Sequence, residues 1–225
     1  MSENLLLRDV PVDLRAKIEP ELTSVSFRTG EIVLQPGITP ASVYFPTDCV
    51  ISLVTEIESG GSVEAGMVGH EGFVGLSAFL GSGMSNVRGI AQVGGAALAL
   101  PTDVFRHHLH DERFRDVMGH HAEYLFALAG QSIACQAFHS VEQRLARWLL
   151  MVQDRTVSME LPLTQDFLAS MLGVQRPTVT VTARLLQAAG LIQYRHGKIV
   201  LLDRQGLEDS ACECYRVIGQ MKPVD

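Results

Sequence analysis

The chain has 225 residues, 47% of them hydrophobic, and carries 18 Lys and Arg against 25 Asp and Glu, a formal net charge of −7. This is enough apolar material for one large core or two small ones. No segment reaches the roughly 18 uninterrupted apolar residues of a membrane span, and Met1-Ser2-Glu3-Asn4 lacks the basic start of a signal peptide, so a cytoplasmic protein with no membrane partner is expected.

The first part of the chain reads as β-rich. Short apolar runs at Ser24 to Phe27, Glu31 to Leu34, Ser42 to Phe45, Val50 to Glu56, Ser62 to Val68, Val87 to Val93 and Ala96 to Leu100 are punctuated by Gly and Pro. Arg28-Thr29-Gly30-Glu31 and Gln35-Pro36-Gly37 supply turns, and the spacing suits a jelly roll. His107, His108, His110, His120 and His121 follow as a local concentration. They read as solvated helix-end histidines, because no nearby carboxylate or cysteine pattern fixes a coordination geometry.

From Glu112 to Phe138 the pattern predicts a helix, with Gly119 weakening its start. Met118, His121, Leu125, Leu128, Ser132 and Cys135 recur at spacings of three and four, which is a heptad seam. Phe114, Val117, Tyr124 and Phe126 are expected to pack on another face, against the β-rich part. Were the seam a two-fold interface, His121 would lie near its symmetry mate, and its protonation would loosen the pair. Cys49, Cys135, Cys212 and Cys214 lack metal-site spacing and read as reduced thiols, so neither a metal nor a cofactor is expected. There is no Gly-x-Ser-x-Gly elbow, phosphate loop or zinc-protease pair, which argues against an enzyme.

Residues 164 to 198 carry the strongest signal. Thr164 to Leu172 and Arg176 to Leu186 read as two helices joined by a turn at Gly173, where the chain needs a positive φ. Ala169 lets the second helix cross closely, and Leu168, Leu172, Val179 and Leu186 can close a small core. Pro177 sits in a first helical turn, where its missing N–H costs little. With Val179, Ala183 and Leu186 turned inward, Arg176, Thr180, Arg184 and Gln187 face out. Leu191 to Leu202 then reads as two short strands around a His196-Gly197 turn, with Arg195, His196 and Lys198 at the tip. An Arg on such a helix can fork onto a guanine edge, and a helix N-terminus can meet a phosphate. Ser140 to Lys198 holds seven basic and four acidic side chains, whereas residues 1 to 139 hold eight and sixteen, so a positive island stands in an acidic chain.

This segment resembles the C-terminal domain of the Crp/Fnr family of bacterial transcription regulators. Ala137-Phe138-His139-Ser140-Val141-Glu142-Gln143-Arg144 is similar to the hinge and first helix after the family's dimerisation helix, so the resemblance spans essentially the whole chain. It implies an α+β protein in three parts. Residues 1–111 would form a double-stranded β-helix (jelly roll) of the cyclic-nucleotide-binding type, 112–138 a dimerisation helix, and 139–225 a winged helix-turn-helix DNA-binding domain. The heptad seam would be the two-fold interface of a homodimer reading an inverted repeat in double-stranded DNA, with RNA polymerase as a further candidate partner.

The family's phosphate cassette uses a Glu for the ribose and an Arg for the cyclic phosphate. The matching stretch, Gly69-His70-Glu71-Gly72-Phe73-Val74-Gly75, followed by Met84-Ser85-Asn86-Val87-Arg88, keeps the glycines but places Phe73 and Met84 at those two positions. Ala129-Gly130 stands where cyclic-AMP-binding members have a Thr-Ser pair. Cyclic AMP binding is therefore not expected. Glu71, Gly72, Phe73, Gly75, Ser85 and Arg88 are the candidates for a remodelled effector pocket. The iron–sulfur members carry an N-terminal cysteine cluster, and here no cysteine precedes Cys49.

The expected DNA contacts are Gln175, Arg176, Thr178, Thr180 and Arg184 around the second helix. Thr164, Gln165, His196 and Lys198 would grip the backbone. Pro177 and Val181 stand where the family often has an acidic residue and a second Arg, so the half-site should differ from the best-known consensus. A regulator gated by a nucleotide or another small molecule, and a protein-interaction module on the same frame, are the alternative readings.

Overall fold

The computed structural model describes residues 3–156, 158 and 160–221; Met1 and Ser2 of the segment read for a leader lie outside them. The N-terminal helices α1 (Leu5–Asp9) and α2 (Val12–Ile18) are tied to the body by Asn4. Its side-chain oxygen accepts from Leu7 N, and its amide donates to the carbonyls of Pro46 and Gly72 at 2.8 and 2.9 Å. A buried side-chain amide with three partners fixes the chain entry.

Seven strands follow: β1 (Thr23–Phe27), β2 (Ile32–Leu34), β3 (Ser42–Pro46), β4 (Val50–Glu56), β5 (Ser62–Val68), β6 (Arg88–Val93) and β7 (Gly95–Pro101). They form two antiparallel sheets, ordered β1-β7-β3 and β2-β6-β4-β5. Each corresponds to one of the apolar runs in the sequence, to within a residue or two at the ends. Two short helices, α3 (Leu76–Leu80) and α4 (Thr102–His108), fill the corners. Gly75, at φ +115°, starts α3 in a backbone conformation closed to most other residues.

The long helix α5 (Glu112–Phe138) is capped by the Asp111 side chain, which accepts from Arg113 N. The chain turns extended at His139, and Ser140 opens α6 (Val141–Gln153) with a reciprocal capping box to Gln143. Beyond it come β8 (Glu160–Leu161), α7 (Gln165–Leu172), α8 (Arg176–Ala188), β9 (Ile192–Arg195), β10 (Lys198–Leu201), α9 (Arg204–Ser210) and α10 (Cys214–Gln220). The last three strands make a small antiparallel sheet, β8-β10-β9.

One apolar cluster runs from the β-sheets through Tyr124, Leu125 and Leu128 of α5 into Trp148, Leu149 and Val152 of α6, and on to Leu168, Leu172, Val179 and Leu186. The β-roll and the C-terminal helices therefore share a core across α5. This sharing corrects the seam expected in α5. Met118, His121, Leu125, Leu128, Ser132 and Cys135 are all buried within their own chain and are not free to meet a partner. Phe126, expected to pack inward, is 83% exposed. The outward stripe lies one or two residues along: Glu123, Phe126, Gly130, Ile133 and Ala137, again at spacings of three and four. A helix apolar on two faces carries two interleaved periodicities, and the buried one belongs to the fold.

Candidate nucleic-acid interface

The Thr164 side chain caps α7 by accepting from Phe167 N at 3.2 Å. Gly173 ends the helix at φ +63°, and α8 begins three residues later with Pro177 in its first turn. Val179, Ala183 and Leu186 are buried, as the helical spacing requires, and Thr182 joins them. Gln175, Arg176, Thr178 and Arg184 are exposed on the opposite side. Val181 and Leu185 are exposed there too, at 58% and 51%, and offer apolar surface of the kind that meets a thymine methyl.

Thr180 is half-buried, and its hydroxyl lies 2.8 Å from Gln165 Oε1 and 3.1 Å from the Arg176 carbonyl. It can donate to one of them at a time, so Thr180 and Gln165 brace the two helices. Gln187 likewise accepts from Tyr194 N at 2.8 Å and anchors the hairpin to α8. That hairpin turns through two residues, His196 at φ +50° and Gly197 at φ +75°, which closes β9 onto β10 with Arg195 opposite Lys198. Thr164, Gln165, Asp166, Arg176, Tyr194, His196 and Gly197 line a groove between the helix-turn-helix and the hairpin tip. His196 and Lys198 are exposed at its rim.

The seven basic residues of this region divide sharply. Arg144, Arg147 and Arg155 are buried and out of reach of a phosphate, which corrects the count behind the positive-island argument. Arg176 and Lys198 are exposed but paired, with Asp166 at 3.5 Å and with Glu160 at 2.6 Å. Among the described residues, Arg184 and Arg195 are the exposed cations of this face with no ion pair. Rim pairs of this sort are worth little in water, so a phosphate can displace them.

The six effector-pocket candidates are not brought together around a shared space. Glu71 is buried against Arg155, whose Nε donates to it at 2.6 Å. Gly72 packs so tightly on the His121 ring that a Cβ there would collide with it. Phe73 is fully buried in a second apolar cluster, between Phe45 and Phe105. Gly75 turns the chain into α3, and the Ser85 hydroxyl donates to Val87 O of its own turn. Arg88 lies on β6 and pairs with Glu56 at 3.0 Å. The remodelled-pocket expectation is corrected accordingly: the polar groups that would make a pocket are spent on internal pairing.

The residues the sequence did not single out form the joint between the two halves. Arg155 follows α6. Besides Glu71 it donates to the Tyr124 hydroxyl at 2.8 Å and to Met151 O at 2.9 Å. Burial alone would raise the Glu71 carboxyl, but the Arg155 charge and its hydrogen bonds outweigh this and hold it below its ordinary value. Nearby, Trp148 Nε1 donates to Glu64 Oε1 at 3.0 Å. Burial pushes the Glu64 carboxyl up to about 7, against the pull of its hydrogen bonds and of Arg147 and Arg155.

His121 Nε2 lies 3.2 Å from Phe73 N and 3.1 Å from Phe73 O, so it accepts from the one or donates to the other. Burial pushes its imidazole down to about 4, and it faces Glu71, Arg155, Phe73 and Tyr124 of its own chain. The expected pH-sensitive contact with a symmetry mate is thereby overturned. His107, His110 and His120 are exposed and His108 half-buried.

All four cysteines are free, as expected, but three of them are brought together. Burial raises the Cys49 thiol to about 12. Cys135, Cys212 and Cys214 instead converge with His139, their donor atoms all within 4.8 Å of one another. Cys212 is drawn down to about 5 by the hydrogen bond it accepts from Cys135, 3.5 Å away. The sequence signals were a Cys and a His four apart at the end of α5 and a Cys-x-Cys more than seventy residues on, which only the fold unites.

Two helices joined by a left-handed glycine, followed by a short hairpin beside the second helix, define a winged helix-turn-helix, here carried behind a β-roll and a long helix. Residues 143–210 match the family model of the Crp-like helix-turn-helix domain. The fold is similar to that of a Crp/Fnr-family regulator from Thermus thermophilus, at 26% identity over 84% of this chain and 98% of that one, with a TM-score of 0.67. It is also similar to a putative Crp/Fnr-family regulator from Eubacterium rectale (20% identity, 94% and 97% covered, TM-score 0.71). FixK2 from Bradyrhizobium japonicum is a third such structure (16% identity, 85% and 98% covered, TM-score 0.71). No curated protein sequence matches the chain. Residues 143–210 thus form a Crp-like helix-turn-helix domain, and the chain as a whole has the fold of Crp/Fnr-family regulators. Among its described residues no helix is long and apolar enough to cross a membrane.

Proposed function

We propose that the protein acts as a homodimer that reads an inverted repeat in double-stranded DNA, and that its β-roll does not bind cyclic AMP. The observation that carries this reading is the outward face of α8. Gln175, Arg176, Thr178, Val181 and Arg184 stand exposed beside a hairpin tip carrying Arg195, His196 and Lys198. A helix of 13 residues presenting that face fits the major groove, and the hairpin would then lie along the adjacent phosphates. Arg176 and Arg184 are the candidates for guanine edges and Thr178 for a base or phosphate. Thr164, His196 and Lys198 are the candidates for backbone contacts. Thr180 and Gln165 hold the recognition helix at its angle.

Dimerisation is assigned to the outer stripe of α5. Phe126 and Ile133 are 83% and 72% exposed, Phe138 is 84% exposed at the helix end, and Gly130 has open space in which a second helix can approach. Such a stripe, at heptad spacing, suits a parallel copy of itself. Loss of cyclic AMP binding is supported by Phe73 in the core, by Met84 exposed in its loop, and by Glu71 neutralised internally by Arg155. An unpaired cyclic phosphate buried there would have no charge partner. The Glu71–Arg155 contact also suggests a route for control, because a change in the cassette loop would reach the end of α6 directly. RNA polymerase would be a partner if the protein activates.

Selection of bound fragments from a random duplex pool tests the reading. The expected result is enrichment of an inverted repeat with half-sites about 10 to 10.5 base pairs apart or a multiple of that. Failure to enrich any sequence at low ionic strength would overturn it, and the protein-interaction alternative would then stand. A thermal-shift titration with cyclic AMP is expected to leave the melting temperature unchanged.

A further inference from the structure

We propose that Cys135, His139, Cys212 and Cys214 form a binding site for a soft divalent metal ion, zinc foremost, that clamps the end of α5 to the start of α10. The four donor atoms lie within 4.8 Å of one another. Cys135 Sγ is 3.5 Å from Cys212 Sγ, and His139 Nδ1 is 3.5 Å from Cys214 Sγ. Tetrahedral zinc with sulfur ligands separates its donors by roughly 3.8 Å, so these distances require little movement to accept an ion. Three sulfurs and one imidazole nitrogen are a common closed structural set for that metal, and such thiolates discriminate against the hard cations.

The surroundings point the same way. His139 Nε2 lies 3.1 Å from the Glu213 carboxylate, which fixes the tautomer that leaves the Nδ1 lone pair free toward the sulfurs. A carboxylate behind a histidine is the usual outer partner of a metal ligand. Gln131 Nε2 donates to Cys214 Sγ at 3.0 Å, as groups around bound thiolates do. Zinc with three thiolates carries one net negative charge, and Arg147 is placed to offset it. Its guanidinium is buried, its Nε and Nη1 have no hydrogen-bond partner, and its charge acts on both Cys135 and Cys212. Cys135, Cys212 and Cys214 are themselves buried and make up a small cluster separate from the two main cores.

Binding releases the remaining thiol protons to solvent and involves no change of oxidation state. The ion would fix the α9–α10 segment to the helix proposed as the dimer axis, and so set how the DNA-binding domain sits on it. This site stands independently of DNA recognition, because its readout is metal content.

The test uses the full chain purified under reducing conditions. Elemental analysis is expected to find one zinc per chain. Cobalt(II) added to the metal-free protein is expected to give tetrahedral ligand-field bands and thiolate-to-cobalt charge-transfer absorption. Cys212→Ser and Cys214→Ser should each reduce or abolish that absorption, while Cys49→Ala, outside the cluster, should keep it. Should the variants fail to fold, the wild-type spectrum decides: no zinc together with no thiolate band overturns the site. Bands that persist unchanged without Cys212 and Cys214 would overturn it as well.

Discussion

Arg144, Arg147 and Arg155 on one side, and Arg176, Arg184 and Arg195 on the other, come from the same short stretch of chain and meet opposite fates. The first three are buried at the joint between β-roll and helix-turn-helix domain, where Arg155 answers Glu71 and Tyr124, and Arg144 Nη1 donates to Leu172 O at 3.0 Å. The second three face solvent around the recognition helix and hairpin. Of the buried guanidiniums Arg155 joins the two halves through a desolvated ion pair, whereas the exposed ones are screened until a phosphate or base arrives. The comparison teaches that net charge in a sequence window measures neither the outward field nor the stability of the domain.

The contrast can be broken most forcefully at the joint. Arg155→Ala leaves Glu71 buried without its counter-ion and is expected to destabilise the fold by about 3 to 5 kcal/mol in a denaturant titration. Glu71→Gln strands the buried Arg155 guanidinium in the same way and is expected to cost a comparable amount. If Arg155→Ala unfolds at the wild-type midpoint, the joint is not a stabilising pair.

Glu64 sharpens the same side through pH. Its carboxyl holds a proton up to about 7 when folded, but only to about 4.5 when unfolded. Unfolding between these values releases a proton, so stability falls as pH rises through that window, by on the order of 1 to 3 kcal/mol. Glu64→Gln is expected to flatten this slope between pH 4.5 and 7, as measured by melting at a series of pH values. An unchanged slope would assign the dependence elsewhere.

On the exposed side, Arg184→Ala and Arg176→Ala should leave unfolding within about 0.5 kcal/mol of wild type. Each is expected to cost about 1 to 3 kcal/mol in binding to the selected operator and to relax one base position. Equal loss on every sequence would show that the residue holds phosphate only. The smallest effect is expected at Lys198→Ala, which should weaken all duplexes alike and lower the salt slope by about 1.

Much of this architecture was legible in the sequence, because turn glycines and alternating apolar runs fix the strands locally. The seven strands of the β-roll, the bounds of α5, and the helix-turn-helix with its His196-Gly197 hairpin all follow from local pattern. The phase of α5 was not legible. Its apolar residues satisfy two interleaved seams, and only the β-roll packed on Met118, Leu125 and Leu128 decides which is internal. The candidate DNA residues were legible as a helical face, but which of them brace the motif depends on partners, as with Thr180 on Gln165 and Gln187 on Tyr194. The effector pocket failed for a related reason. Glu71 and Arg88 are near in sequence, yet one points into the joint and the other lies on β6 facing Glu56.

The most direct measurement is binding of the purified protein to the selected inverted repeat and to its isolated half-site, each over a range of salt concentrations. Symmetric reading by two α8 helices predicts far tighter binding to the full repeat, with the logarithm of affinity falling linearly against the logarithm of salt. Equal affinity for the full repeat and for its half-site would contradict it.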